Sequence, residues 1–174
     1  MTRSAPHPWH GTPVPGTPTV VVGVLPRQSP TVVLGAAALA RAMGASLVCV
    51  WADPARTLVA EEPDGTLVTT PLDPDHADRL DGDGVAETAM AEQLAAHLEG
   101  SGVTWRFVYT VGEASRALAR VARETGAAQI VIGSRRPGVG GWMNHLIGGS
   151  TAGRLAHTQP FPVTIVPVSP EGAP

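Results

Sequence analysis

The chain contains no lysine: all twelve of its basic residues are arginine. That excludes every mechanism needing a side-chain amine, among them a P-loop phosphate clamp, a Schiff base and a nucleotidyl-transfer lysine. Cysteine is almost missing too. Cys49 stands alone, which rules out an internal disulfide and a thiolate zinc cluster, and its apolar neighbours mark it as a small buried hydrophobe. Aromatic residues are only 4% of the chain, so the core has to be aliphatic. No apolar run approaches the roughly 18–20 residues of a membrane span, and the N-terminus lacks the apolar stretch of a secretory signal. A net charge of −3 and a pI of about 6.0 leave no electrostatic footprint for nucleic acid or an anionic membrane. The expectation is a soluble, cytoplasmic protein.

What is present fits one globular domain: 174 residues, 43% of them hydrophobic. Residues 1–18 are rich in Pro, Gly, Thr and His without periodicity and predict a flexible N-terminal tail. The pair His7 and His10 in that tail has no carboxylate or thiol close in sequence to complete a metal site. Thr19–Leu25 is a β-branched run between Pro18 and Pro26, which predicts a strand buried on both faces. Ser29-Pro30 opens a helix that ends at Gly44, with Val33, Ala36, Ala37 and Ala40 inward. Ala45–Trp51 is a second buried strand. Arg56–Glu62 and Thr66–Thr70 flank Pro63-Asp64-Gly65 and predict a hairpin inserted after that strand. An acidic connector with Asp73, Asp75, Asp78, Asp81 and Asp83 lacks the glycine and terminal Glu of a calcium loop.

The second half repeats the alternation. Val85–Leu98 is a helix with Met90, Leu94 and Leu98 on one face, Val103–Thr110 an edge-like strand, and Gly112–Thr125 a helix turning Arg116, Arg120 and Arg123 outward. Ala128–Ile132 is a fourth strand, Ser150–His157 a short helix, and Phe161–Val168 a fifth strand, before a short tail at 169–174. Together these predict an α/β, doubly wound domain over residues 19–168.

Between the fourth strand and the short helix lies the densest signal. Gly133-Ser134-Arg135-Arg136-Pro137-Gly138 begins a glycine-rich loop, and Gly149-Ser150-Thr151 leads into the helix. Strand, glycine loop and helix start is a layout that aims backbone N–H groups at an anion. The loop is at the carboxyl end of its strand, as is the Leu25–Pro30 turn after the first strand. Ligands of such folds bind at that end, where the strand order reverses.

In this order and spacing, Val22-Gly23-Val24, Ile130-Val131-Ile132-Gly133-Ser134, Gly149-Ser150 and Phe161-Pro162-Val163-Thr164-Ile165-Val166-Pro167 make the chain resemble the universal stress proteins. The resemblance implies a Rossmann-like, five-stranded parallel sheet of order 3-2-1-4-5 and a homodimer formed through the last strand, residues 161–168. It also implies, for some members, ATP with Mg²⁺. The adenosine would lie against the first two strand ends, at Gly23, Val24, Leu25, Pro26 and Ala52. The phosphates would lie on Gly133, Ser134, Arg135, Arg136, Gly138, Gly149, Ser150 and Thr151. The chain departs from the family pattern twice. Arg136 stands where the middle glycine belongs, in a spacer about three residues too long, with Gly138 as a substitute. Leu25 replaces the acidic residue that contacts the ribose, and an apolar side chain accepts no hydrogen bond from a hydroxyl.

Two readings stay open: a regulatory protein that binds an adenine nucleotide weakly, and a dimeric scaffold or interaction module that binds none. An enzyme has less in its favour, because no acid occurs between Glu124 and Glu171 to work with His145 or His157.

Overall fold

A computed structural model describes residues 1–73, 84–134 and 151–168. The acidic connector from Asp75 to Asp83, the loop residues Arg135, Arg136, Gly138, Gly149 and Ser150, His145, and the tail at 169–174 lie outside the described residues. The elements are β1 (Thr2–Ser4), β2 (Thr19–Gly23), α1 (Thr31–Ala42), β3 (Ser46–Asp53), β4 (Arg56–Glu61), β5 (Leu67–Pro71), α2 (Val85–Leu98), β6 (Trp105–Val111), α3 (Ala114–Thr125), β7 (Ala127–Gly133), α4 (Thr151–Thr158) and β8 (Val163–Val166).

The main sheet is five-stranded and parallel, ordered β6-β3-β2-β7-β8. Counting only the strands of the alternating core, this is the expected order 3-2-1-4-5. Its centre is β2, where Val20, Val21 and Val22 have no exposed surface at all. The two-residue period of a strand sends these side chains to opposite faces. Val20, Val22 and Val24 join α1 and the Met90, Leu94 and Leu98 face of α2, while Val21 joins Leu118, Val121 and Ala122 of α3 and Leu155 of α4. The same alternation runs through β3, where Leu47, Cys49 and Trp51 face one layer and Val48 and Val50 the other. The sheet is therefore covered on both sides, as the apolar runs require. Burial holds the Cys49 thiol far above its ordinary pKa, so it stays a neutral packing group.

The hairpin forms where Asp-Gly marked it. Gly65 adopts φ +83° and the Asp64 carboxylate accepts from the Thr66 N–H at 2.9 Å. Its strands belong to a second sheet, β1-β5-β4. Buried Arg56 joins that sheet by donating to Thr69 Oγ1 at 3.0 Å and Thr2 Oγ1 at 2.7 Å.

The N-terminal segment corrects the expectation of a free tail. Thr2, Arg3 and Ser4 pair antiparallel with Thr69, Val68 and Leu67. The chain then runs along the outer edge of β6: the His7 N–H donates to the Phe107 carbonyl at 3.1 Å, and His10 and Trp105 exchange bonds of 2.7 and 3.0 Å. The His10 ring stacks on Trp105 with centroids 4.1 Å apart, Arg106 lies over the Trp9 ring, and His7 Nε2 bonds Glu87 at 3.0 Å. Both histidines are thus occupied as packing and pairing groups. Prolines at 6 and 8 lack the N–H a regular strand would use, so the segment pairs only intermittently and shows no strand period.

Helix α3 begins at Glu113, whose carboxylate accepts from the N–H groups of Ser115 and Arg116. Partial burial opposes its ionisation, but the bonds from Ser115 and Arg116 and the nearby Arg154 outweigh it and hold Glu113 below its ordinary 4.5. A depressed carboxyl pKa contributes stability above the unfolded value and loses it as pH falls through the folded one. Replacing Glu113 by Ala is expected to cost about 1 kcal/mol at neutral pH. In urea titrations, that difference should shrink steadily as the pH is lowered below 4.5.

Candidate functional site

The order of the main sheet reverses at β2, which sends its chain on to β3 on one side and pairs with β7 on the other. The crossovers leave on opposite faces, so a crevice opens beyond the carboxyl end of β2. Its floor is the turn Leu25–Gln28. Pro26 sets the φ of the first central position, Arg27 sits at φ +59°, and the Gln28 N–H donates to the Leu25 carbonyl at 3.1 Å. These are the features of a type II turn, in which glycine or asparagine is the usual third residue. Arg27 holds a left-handed conformation that an L-residue adopts at some cost.

Ala52 is on one wall. Along β3, Val50 accepts from the Val24 N–H at 2.9 Å, and the Asp53 carbonyl accepts from Gly112 at 2.8 Å on the opposite side. Alternation therefore turns the N–H and C=O of Ala52 toward the β2 side, two residues beyond Val50, which with Gly23 makes the last β2–β3 pair. These groups face the space that β2 has left. The carboxylate of the next residue, Asp53, is committed elsewhere: it accepts from Tyr109 Oη at 3.0 Å and from the Ala55 N–H at 2.9 Å. Burial first, and then the Asp53 charge, raise the Tyr109 phenol well above its ordinary value of 10.0.

The other wall is the end of β7. A Cβ on Gly133 would stand 2.8 Å from Val32 Cγ2 and 3.0 Å from Gln28 Nε2, so glycine is required here by the close approach of α1 and the β2 turn. Gly23 is similarly crowded, its would-be Cβ lying 3.2 Å from Leu118 Cδ1. Ser134 is tied into the sheet: its N–H donates to the Val166 carbonyl at 2.8 Å and its hydroxyl oxygen accepts from the Val168 N–H at 2.9 Å. Thr151 is the half-buried first residue of α4. The structure thus gathers Gly23, Val24, Leu25, Pro26, Ala52 and Gly133 about one crevice and gives Ser134 a structural partner.

Next to the turn, a small cleft opens between it, α1 and α2. Val24, Leu25, Val33, Met90 and Leu94 make it apolar, and Gln28, Ser29, Gln93 and His97 supply its polar groups. None of the described residues lining it is a carboxylate. Leu25 is 46% exposed there, a large apolar side chain held at the surface. Gln28, Gln93 and His97 were not singled out from the sequence. The α2 period does put Gln93 and His97 one turn apart, and they lie 3.5 Å from each other; that α2 flanks the β2 turn is not a local property.

Such a sheet, with a crevice at its reversal point, defines a doubly wound α/β protein of the kind that takes small phosphate-bearing ligands at its strand ends. The family model of the universal stress proteins matches residues 17–167, and the chain belongs to that family. Solved structures agree in fold. A universal stress protein in complex with cAMP is 21% identical, over 88% of this chain and 98% of that one, with a TM-score of 0.60. The universal stress protein from Archaeoglobus fulgidus in complex with dAMP is 18% identical over 86% and 97%, with a TM-score of 0.55. A family member from Burkholderia pseudomallei is 22% identical over 90% and 100%, with a TM-score of 0.58. No curated protein matches the chain.

The crowding at Gly133 gives a direct test of this geometry. Gly133→Ala is expected to destabilise the fold by about 1–3 kcal/mol, the usual cost of overpacking. A denaturation midpoint unchanged from the parent chain would show that α1 and the turn do not press on β7.

Proposed function

We propose that this protein binds an adenine nucleotide at the carboxyl ends of β2, β3 and β7 and acts as a regulatory, non-enzymatic stress-response protein. The observation carrying this reading is the backbone edge of Ala52, which has no partner on the β2 side among the described residues. Its N–H and C=O face the crevice beside an apolar cleft, the combination that suits a flat base with a donor and an acceptor on its rim. The solved relatives named with cAMP and dAMP support the class of ligand. Arg135, Arg136, Gly138, Gly149, Ser150 and Thr151 are the candidates for the phosphates, with Gly133 at the entrance. Ser134 has only its hydroxyl hydrogen left to give. With ATP as ligand, Mg²⁺ would ride on the phosphates and water, since the described residues of the cleft offer amide, hydroxyl and imidazole groups and no carboxylate. Compared with a site that holds a carboxylate there, the sugar hydroxyls forgo a charge-assisted bond worth about 1.5–3 kcal/mol, roughly ten- to a hundredfold in affinity, so binding is weak.

A scaffold without nucleotide is the second reading. It is favoured by Gly23, Gly133 and Ser134, each of which has a sufficient packing or hydrogen-bonding reason to be what it is. The two separate cleanly. The nucleotide reading expects adenine nucleotide to be released when the purified protein is denatured, or heat on calorimetric titration with ATP and Mg²⁺. No released nucleotide and no heat at millimolar ATP would leave the scaffold.

The same proposal includes a homodimer through residues 161–168. β8 lies at the end of the main sheet, and Ile165 is 50% exposed on it. An Ile165→Asp change is expected to convert dimer to monomer in light scattering, and a variant that stays dimeric would move the interface elsewhere.

A further inference from the structure

From the β2 turn we infer that this site does not read the sugar: it takes ribo- and deoxyribonucleotides alike, and Gln28 contacts the ligand through an acceptor group, a phosphate oxygen. The inference rests on the nucleotide reading above and concerns which nucleotides the site admits.

The Leu25 N–H donates to Gln28 Oε1 at 3.2 Å. A backbone donor can bond only to the oxygen end of the amide, so this contact fixes which end is which. Nε2 is then turned toward Gly133, 3.0 Å from where a Cβ would stand there, and has no partner among the described residues. Gln28 therefore lies between the β2 turn and the end of β7 with its acceptor occupied and its donors without a partner among the described residues. A sugar hydroxyl that enters as a donor meets the apolar Leu25 and Pro26, which offer it no side-chain acceptor. Ser29 Oγ is engaged with Thr31, both its hydroxyl and its N–H. Among the described residues the remaining acceptors at the cleft and its wall, on Gln93, His97 and Ala52, accept through uncharged atoms and gain little over water, whereas a carboxylate gains substantially. An anionic oxygen near Gly133 would instead find the Nε2 donor already aimed at it.

The test is calorimetric titration of the full chain with ATP and with dATP, both with Mg²⁺. The expected dissociation constants agree within about threefold, because no charged acceptor distinguishes the hydroxyl. Leu25→Asp, at an exposed position, is expected to introduce a preference for ATP of about tenfold or more. Gln28→Leu is expected to weaken both ligands by a similar factor, about tenfold, and to leave their ratio unchanged. A parent chain that prefers ATP by more than tenfold overturns this inference while leaving the nucleotide reading intact. So does a Gln28→Leu protein whose ratio, rather than overall affinity, moves. Silence with both ligands overturns the two together.

Discussion

Everything in this protein hangs on the burial of β2 from both sides. A strand whose three valines have no exposed surface needs a helical layer above and below, and a right-handed crossover can supply those layers only by leaving in opposite directions. The reversal of strand order follows from that need, and the crevice follows from the reversal. The aliphatic composition serves the same end. With few aromatic rings available, the faces are filled by Val, Ile, Leu and Ala, and the close approach of α1 to β7 is possible because residue 133 has no side chain.

The crevice combines two kinds of constraint. Its backbone is organised by the sheet, which commits the edge of Ala52 and the positions of Gly23 and Gly133 before any ligand is considered. Its chemistry is decided by the side chains carried on that frame. Here an apolar Leu25 and an amide at 28 replace charge with neutral groups, and Asp53, a residue away from the wall, is held by a phenol and a turn.

Much of this was legible in the chain. The valine run, the Ala-rich face of α1, the Met90-Leu94-Leu98 stripe and the Asp-Gly hairpin each carry a local period or turn signal, and each forms the element it specifies. The strand order came from family likeness rather than from any period. The N-terminal segment was misread because its partners, β5 and β6, are distant in sequence and its prolines erase the alternation. Gln28 went unnoticed for a related reason. Its role depends on Gly133 and Leu25 at once, and only the turn at Arg27 brings the three together.

The segment from Met1 to His10 also bears on assembly. By pairing with β6 at His7 and His10 it covers part of one margin of the main sheet, and among the described residues β8 has no strand beyond it. A sheet with two open margins can add copies without end, whereas one with a single open margin can be extended once and then stops. The arm thus gives β6 partners at that margin, and of the two margins β8 is the one left bare for another strand among the described residues.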